Sequence, residues 1–395
     1  MTDPWDRFAS EAVGAEVAGY VERAGEDGRA GTARWYTSAA ETLPLGRRDR
    51  PEEVRGRIER FLASHPHGAA VGYLGFDAVG LFEPALRRFP PSGPFPLAEV
   101  ALVPRAHVAS VPHVPRRPLG RRSVGRPLSD SLPRPRFARS VRRLVEAIRD
   151  GEAFQVVLAH RRAWRRPDDL LTRAGLLRLG ERFSSFYYLR FGDRELMGAT
   201  PESVAEVVRR AAYVDPIAGT IPLRHAGRRR PLPLDPKELC EHRMLVDLAR
   251  NDLGRVARPG SVRLVWSERR VRYAHLEHLV SRVAGTLPPG VAPWDVLAST
   301  FPAGTVSGAP KIRATELLRR EEGTWRGPYA GAIALMLPRE RATFALTIRS
   351  AFAAGDRVYT AAGAGIVHRS KPEREFRETL AKLAVVESAV VGEAA

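Results

Sequence analysis

Acidic side chains recur at helical spacing in two distant parts of this 395-residue sequence. In DPKELCEHRMLVDLARNDLGR (235–255), Glu238 and Glu241 stand three residues apart. On a helix that spacing puts them on one face, with Cβ atoms about 5–6 Å apart. KPEREFRETLAKL (371–383) repeats the pattern with Glu375 and Glu378, and Lys382 follows one turn later. Each pair alone suits a solvated helix start, where acids also favour the dipole. Together they offer four carboxylates from two helices, a donor set for a hard divalent cation. Mg²⁺ fits, because it takes oxygen ligands and usually keeps waters or substrate oxygens. No Cys/His spacing supports zinc.

Glycine-rich segments supply candidate binding loops. FPAGTVSGAPKIRATELL (301–318) reads as a loop, containing Thr305, that enters a helix. Its Gly-to-Lys spacing, and Pro310 before Lys311, exclude a Walker A loop. YTAAGAGIVHRS (359–370) is a strand closing on Gly363, Ala364 and Gly365, where backbone N–H groups can approach a carboxylate. It lacks the GxGxxG pattern of a dinucleotide site. DPIAGTIP (215–222) adds Gly219 and Thr220. Singly these are turns; jointly they suit an anionic, oxygen-rich ligand. Arg349, in the strand LTIRS, has the fork to clamp a carboxylate. His278, in AHLEHLVSRVAG (274–285), lies on an apolar segment and reads first as a core residue, second as a catalyst.

Regular elements must position these groups. Residues 1–110 read as an N-terminal α/β region, with a helix over 51–64 and a Gly-punctuated strand and turn over 69–83. Residues 111–136, rich in Pro and Arg and without periodicity, form a linker or long surface loop. From 137 to 390 the text becomes regular. Val141, Leu144, Val145 and Ile148 share one face of a helix over 139–151, and a β-branched strand follows over 154–164. Short strands are predicted at 185–191, 195–202 and 203–208, and later at 329–337, 342–350 and 356–362. Helices are predicted at 236–253, 308–322 and 372–390. Strands without strict βαβ alternation predict an α+β fold rather than a doubly wound sheet.

Composition bounds the partners. Hydrophobic residues make up 44% and charged residues 27%, ordinary for a globular chain. The formal charge of +18 would suit nucleic acid, but 59 of the 63 basic residues are arginines, scattered as coding bias would scatter them. No nucleic-acid function is expected; a basic surface also draws in small polyanions. The four lysines (237, 311, 371 and 382) sit beside the densest motifs, where a compact ammonium is hard to replace. Cys240 is the sole cysteine, so no intrachain disulfide forms. The opening MTDPWDRFASEAVGAE is no secretory signal. The longest apolar stretch, 329–338, is about half of the roughly 20 residues a membrane helix needs. A cytoplasmic protein without membrane attachment is expected.

Read in order, these segments resemble the chorismate-utilising enzymes: anthranilate synthase large subunits, aminodeoxychorismate synthases, isochorismate synthases and salicylate synthases. The matching strings are GEAFQVVLAHR, GATPES, DPIAGT, PKELCEHRMLVDLARNDLGRV, HLEHLVSRVAGTL, FPAGTVSGAPKIRATELL, YAGAI, TIRS, AGAGIV and PEREFRETLAKL. They span about 137–390, with a weaker echo in GYLGFDAVGLFE. The resemblance implies the chorismate-binding fold, two large packed β-sheets flanked by helices. It implies Mg²⁺ held by Glu241 and Glu378, with Glu238 and Glu375 behind them through water. Gly219, Thr220, Tyr329, Arg349, the Gly363–Gly365 loop and Lys382 match ligand-contacting positions. Glu202 matches the general acid for the departing C4 hydroxyl, His278 the residue implicated in pyruvate loss, and Thr305 belongs with the catalytic set.

Two further positions sort members of that family. Water-using members carry a lysine where this chain has Gln155, and members with a lysine nucleophile carry it where this chain has Ala218. The resemblance therefore implies ammonia attacking C2 of chorismate, giving 2-amino-2-deoxyisochorismate and, with pyruvate loss, anthranilate. An LLES element and the NPSPY string of tryptophan-regulated members are missing, and IPLR after PIAGT leans towards the aminodeoxychorismate group. The alternatives that stay open are an enzyme that stops before pyruvate loss, a 4-amino product, and a chorismate-like ligand-binding protein without turnover. Cys240 sits outside any nucleophile elbow, so ammonia is expected from a separate glutamine amidotransferase subunit.

Overall fold

The computed structural model describes residues 3–25, 30–87, 93–112, 122–180, 183–222, 236–273, 276–339 and 341–393; side chains at 218–222, 236–238, 272, 273 and 276–278 lie outside that description. The chain opens with α1 (Pro4–Glu11), β1 (Val17–Arg23), β2 (Gly31–Tyr36), β3 (Glu41–Leu45), α2 (Pro51–Ser64), β4 (Ala69–Leu74), α3 (Val79–Phe82), β5 (Ala98–Val103) and β6 (His107–Val111). Next come β7 (Ser129–Asp130), α4 (Arg134–Arg149), β8 (Gln155–Arg165), α5 (Leu170–Gly180), β9 (Ser185–Phe191), β10 (Arg194–Thr200), β11 (Ser203–Val208), β12 (Ala211–Val214) and β13 (Ile217–Pro222). The remainder is α6 (Pro236–Gly254), β14 (Arg263–Tyr273), β15 (Leu276–Thr286), α7 (Pro293–Thr300), α8 (Gly304–Ser307), β16 (Gly308–Ala309), α9 (Lys311–Glu322), β17 (Ala332–Leu337), β18 (Arg341–Leu346), β19 (Ser350–Ala354), β20 (Arg357–Ile366) and α10 (Pro372–Val390).

Among the described residues the strands form two ten-stranded antiparallel sheets, the α+β architecture expected from the sequence. The first runs β16-β8-β20-β19-β10-β9-β1-β2-β6, with β7 also on β8; the second runs β13-β15-β12-β11-β18-β17-β4-β5-β3, with β14 also on β15. N-terminal strands extend both sheets, through β1 on β9 and β4 on β17. Alternation along β9 explains the layering. Tyr187, Leu189 and Phe191 join the large core that also takes Val71 and Phe344 of the second sheet, while Phe186 and Tyr188 join a smaller core with Trp5, Leu177 and Val386 of α1, α5 and α10. Both faces of the first sheet are therefore covered.

Helix limits follow local chemistry. In α10, Pro372 occupies the first turn with Glu373 and Glu375, and Phe376, Thr379, Leu383, Val386 and Val390 bury one face. The predicted limits of α2 and α10 hold to the residue. The helix predicted from 308 begins instead at Lys311, because Gly308 and Ala309 pair with Val156 and Gln155 of β8. Gly308 has φ 129°, and a Cβ there would lie 2.2 Å from the Gln155 carbonyl oxygen. The strand predicted over 342–350 is really two strands, one in each sheet, with Thr347–Arg349 joining them. Of the predicted 111–136 linker, 113–121 lie outside the described residues.

A buried ion network ties these parts together. Arg326, 3% exposed, donates to Glu322 at 2.9 and 2.6 Å, to the Val306 carbonyl at 2.7 Å and to the Val157 carbonyl at 2.6 Å. Asp77 accepts from the Gly327 amide at 2.7 Å and pairs with Arg319 at 2.8 Å. Burial pushes the Asp77 carboxyl up, with Arg319 the strongest opposing influence. Removing one partner of such a pair strands a buried charge and costs about 3–5 kcal/mol. Arg326→Met is expected to lose that much stability in urea unfolding, and Arg326→Met/Glu322→Gln to recover part of it. An unfolding midpoint equal to wild type in the single variant contradicts this reading.

Candidate active site

Two segments cross between the sheets side by side. Pro201 and Glu202 join β10 of the first sheet to β11 of the second, and Thr347–Arg349 return from β18 to β19. They are bound together: the Leu346 amide donates to the Glu202 carbonyl at 3.0 Å and the Ala199 amide to the Arg349 carbonyl at 3.2 Å. Arg349 thus lies in a turn rather than within a strand, with φ 49°. Ala330, after Tyr329, has φ 62°, and its amide donates to the Thr347 carbonyl at 2.8 Å. Left-handed backbone at non-glycine residues costs on the order of 1–3 kcal/mol each and concentrates at functional sites.

Glu202 is half-buried, with protein packed around its carboxyl. Loss of solvent pushes its pKa up to about 7, against the Thr305 hydroxyl, which donates to its Oε1, and the positive charges of Lys382 and Arg349. Desolvation outweighs two cations and a hydrogen bond. A carboxyl in that state still carries its proton in a substantial fraction of molecules near neutral pH and can give it to a departing oxygen. Glu202 and Thr305 also line a small solvent-connected cleft together with Leu245, Leu248 and Asp252.

The second wall is built from β8, β20 and α10. Gly363, Ala364 and Gly365 pair with Ala159, Leu158 and Val157. A Cβ at Gly365 would lie 2.5 Å from Gln155 Nε2, so glycine is what lets the Gln155 amide lie across the strand. Lys382 Nζ donates to the Gly363 carbonyl at 2.9 Å and pairs with Glu378 at 2.8 Å. Tyr329 is buried, its hydroxyl faces the Gly363 amide, and burial pushes its pKa up to about 12. Of the α10 acids, Glu375 is buried and Glu378 exposed. The structure therefore groups Glu202, Thr305 and Arg349 at the crossovers, and Gln155, Tyr329, Gly363–Gly365 and Lys382 around β20.

The third wall is α6 with β13 and β15. Glu241 is half-buried on α6. Backbone register sets Thr220 opposite His278 and Ala218 opposite Leu279, with Gly219 between them at a register shift. The side chains of Ala218, Thr220, Glu238 and His278 lie outside the described residues. Among the described residues no three His, Cys, Asp or Glu side chains are gathered closely enough to hold a metal. What the described part of the donor set offers is carboxylate oxygen only, from Glu241, Glu375 and Glu378. That fits a hard cation taking one or two carboxylates with water and substrate oxygens, rather than an all-protein cage.

Sequence reasoning missed Arg326, which holds the carbonyl next to Thr305 and the strand beyond Gln155. One arginine among 59 carries no local signal, and its Glu322 partner looks like any helix-surface acid. Lys311, singled out as a lysine, is used structurally. It is buried and donates to Asp252 at 2.8 Å and to the Thr300 carbonyl at 2.9 Å. No helix among the described residues is long and apolar enough to cross a membrane.

Known proteins share this architecture. The chorismate binding enzyme family model matches residues 20–388. A Streptomyces coelicolor protein named anthranilate synthase component 1 is 37% identical over 85% of this chain and 76% of its own length. One of the same name from Methanothermobacter thermautotrophicus is 43% identical over 65% of this chain, a match that spans only 56% of that relative. The crystal structure of anthranilate synthase component I from Streptococcus pneumoniae TIGR4 superposes with a TM-score of 0.78 at 26% identity, covering 92% of this chain and 93% of that one. With the family model covering nearly the whole chain, this protein belongs to the chorismate-binding enzyme family.

Proposed function

We propose that this chain aminates chorismate at C2 with loss of the C4 hydroxyl, giving 2-amino-2-deoxyisochorismate and then anthranilate plus pyruvate. The observation that carries the reading is Glu202, whose carboxyl has its pKa raised to about 7 by burial beside Thr305, Lys382 and Arg349. Hydroxide leaves poorly. Protonated by Glu202 it leaves as water, while the ring double bonds shift and ammonia forms the new C–N bond at C2. Glu202 ends as a carboxylate, and the proton that the new ammonium group sheds balances the one consumed.

Other residues divide the binding. Arg349 and Lys382 supply positive charge for carboxylates, and the Gly363–Gly365 strand brings backbone N–H groups near without a Cβ in the way. Gln155 supplies no base to activate water, and Ala218 supplies no nucleophile, which favours ammonia. His278 is assigned the later proton transfer in pyruvate loss. Glu241 and Glu378, with Glu238 and Glu375 behind them, would hold Mg²⁺. When bound, the metal neutralises the ring carboxylate of the substrate. Ammonia is supplied by a separate glutamine amidotransferase subunit, and the chain works in the cytoplasm.

Chorismate, Mg²⁺ and ammonium salt with the purified chain are expected to yield anthranilate fluorescence and equimolar pyruvate. Glutamine is expected to replace ammonium only when the partner subunit is added. A 4-amino product by mass analysis, retained pyruvate, or no product at all contradicts the full reading. Glu202→Gln is expected to lower kcat roughly 10²–10⁴-fold with chorismate half-saturation little changed. The acid form is required, and its pKa is raised, so activity per free ammonia should be full below the titration and fall as pH rises through about 7. A flat profile from pH 6 to 9 contradicts the assignment.

A further inference from the structure

Three side chains absent from any functional role so far form a relay beneath α10. Asp130 of β7 faces His160 of β8, with Nδ1 2.9 and 3.1 Å from its two carboxylate oxygens. The other ring nitrogen, Nε2, lies 2.9 Å from the Thr379 hydroxyl of α10, which is also within 2.7 Å of the Phe376 carbonyl three residues back. The His160 side chain is wholly buried, packed against the mutually touching rings of Phe137 and Phe376 at 5.8 and 5.5 Å. An ionised carboxylate only accepts hydrogen bonds, so Nδ1 carries the proton and Asp130 fixes the plane of the ring. Asp130 is itself held by the Leu132 amide at 3.0 Å and by Arg162 at 3.3 Å.

The relay's position matters more than its strength. His160 pairs across the sheet with Ala362, the residue before Gly363. Thr379 follows Glu378 directly, lies one turn after Glu375 and three residues before Lys382. A more distant polar anchor of α10 on this sheet is Glu387, which accepts from Thr360 at 3.0 Å and from Arg162 at 3.3 Å. That anchor is eight residues on, about 12 Å along the helix. The turn bearing both acids is thus referenced to this sheet at two nearby points, Lys382 on the Gly363 carbonyl at 2.9 Å and Thr379 on His160, and only the second is fixed by buried protein on every side.

We propose that His160 and Thr379 are positioning residues: the Asp130–His160–Thr379 relay sets the register of the α10 acids over Gly363–Gly365, and so tunes Mg²⁺ and chorismate binding. This rests on the magnesium and chorismate reading above. Groups that hold a metal's carboxylate ligands in place typically shift its affinity 10–100-fold when removed.

The test uses Thr379→Val, which keeps the shape and loses the hydroxyl, Thr379→Ser, which restores it, and Thr360→Val, which loosens the distant anchor instead. Hydrogen exchange of the full chain is expected to quicken at 375–382 in Thr379→Val and at 384–390 in Thr360→Val. Calorimetric Mg²⁺ titration, and the Mg²⁺ and chorismate half-saturation of turnover, are expected to weaken at least ten-fold in Thr379→Val, to stay near wild type in Thr360→Val and to recover in Thr379→Ser. Unchanged exchange at 375–382 overturns the relay. Changed exchange with unchanged Mg²⁺ binding, or equal weakening in Thr360→Val, overturns its role in the site. If wild type aminates nothing, the function proposed above fails, while exchange and Mg²⁺ titration still decide the relay.

Discussion

A single buried guanidinium fixes most of what surrounds the site. Arg326 reaches Glu322 on α9, the carbonyl of Val306 beside Thr305, and the carbonyl of Val157 two residues beyond Gln155. Its cation also lies 4.4 Å from the centre of the Phe76 ring and 5.9 Å from that of Tyr329. Arginine suits this place because its planar fork satisfies several acceptors at once and it stays charged when buried. Geometry at a catalytic site needs support of this kind, from groups that never meet the substrate.

That rigidity permits the electrostatics at Glu202. An exposed carboxylate beside Lys382 and Arg349 would sit below its ordinary pKa; here the removal of solvent wins and the pKa rises to about 7. The same reasoning separates the two groups of acids. Glu202, at the crossover, is arranged to be neutral, whereas Glu378 on α10 is exposed and charge-balanced by Lys382. One acid has its proton held by burial; the other is an ordinary surface carboxylate paired with an ammonium. Their different surroundings, rather than their residue type, set them apart.

Local signals made much of this legible. The limits of α10 follow from Pro372, its acidic first turn and the apolar spacing, and the motif strings placed Glu202, Thr305, Gly363–Gly365 and Lys382 in one neighbourhood. What stayed hidden was nonlocal. Strand β1, buried along most of its length, shows no clean polar alternation, so pattern alone does not mark it, whereas the apolar run with its glycine turn did mark β4. The change of sheet at Thr347–Arg349 lies inside an apolar run that reads as one strand, and the left-handed Arg349 has no compositional cue. His160 and Arg326 depend on partners 219 and 169 residues away, beyond the reach of any local rule.

The account turns on the protonation state of Glu202. Infrared difference spectra of wild type against Glu202→Gln, taken across pH 4 to 9, read that carboxyl directly. The account predicts a protonated C=O band that persists to neutral pH and titrates away near pH 7. A band that has vanished by about pH 5, as for a solvent-exposed glutamate, would contradict it.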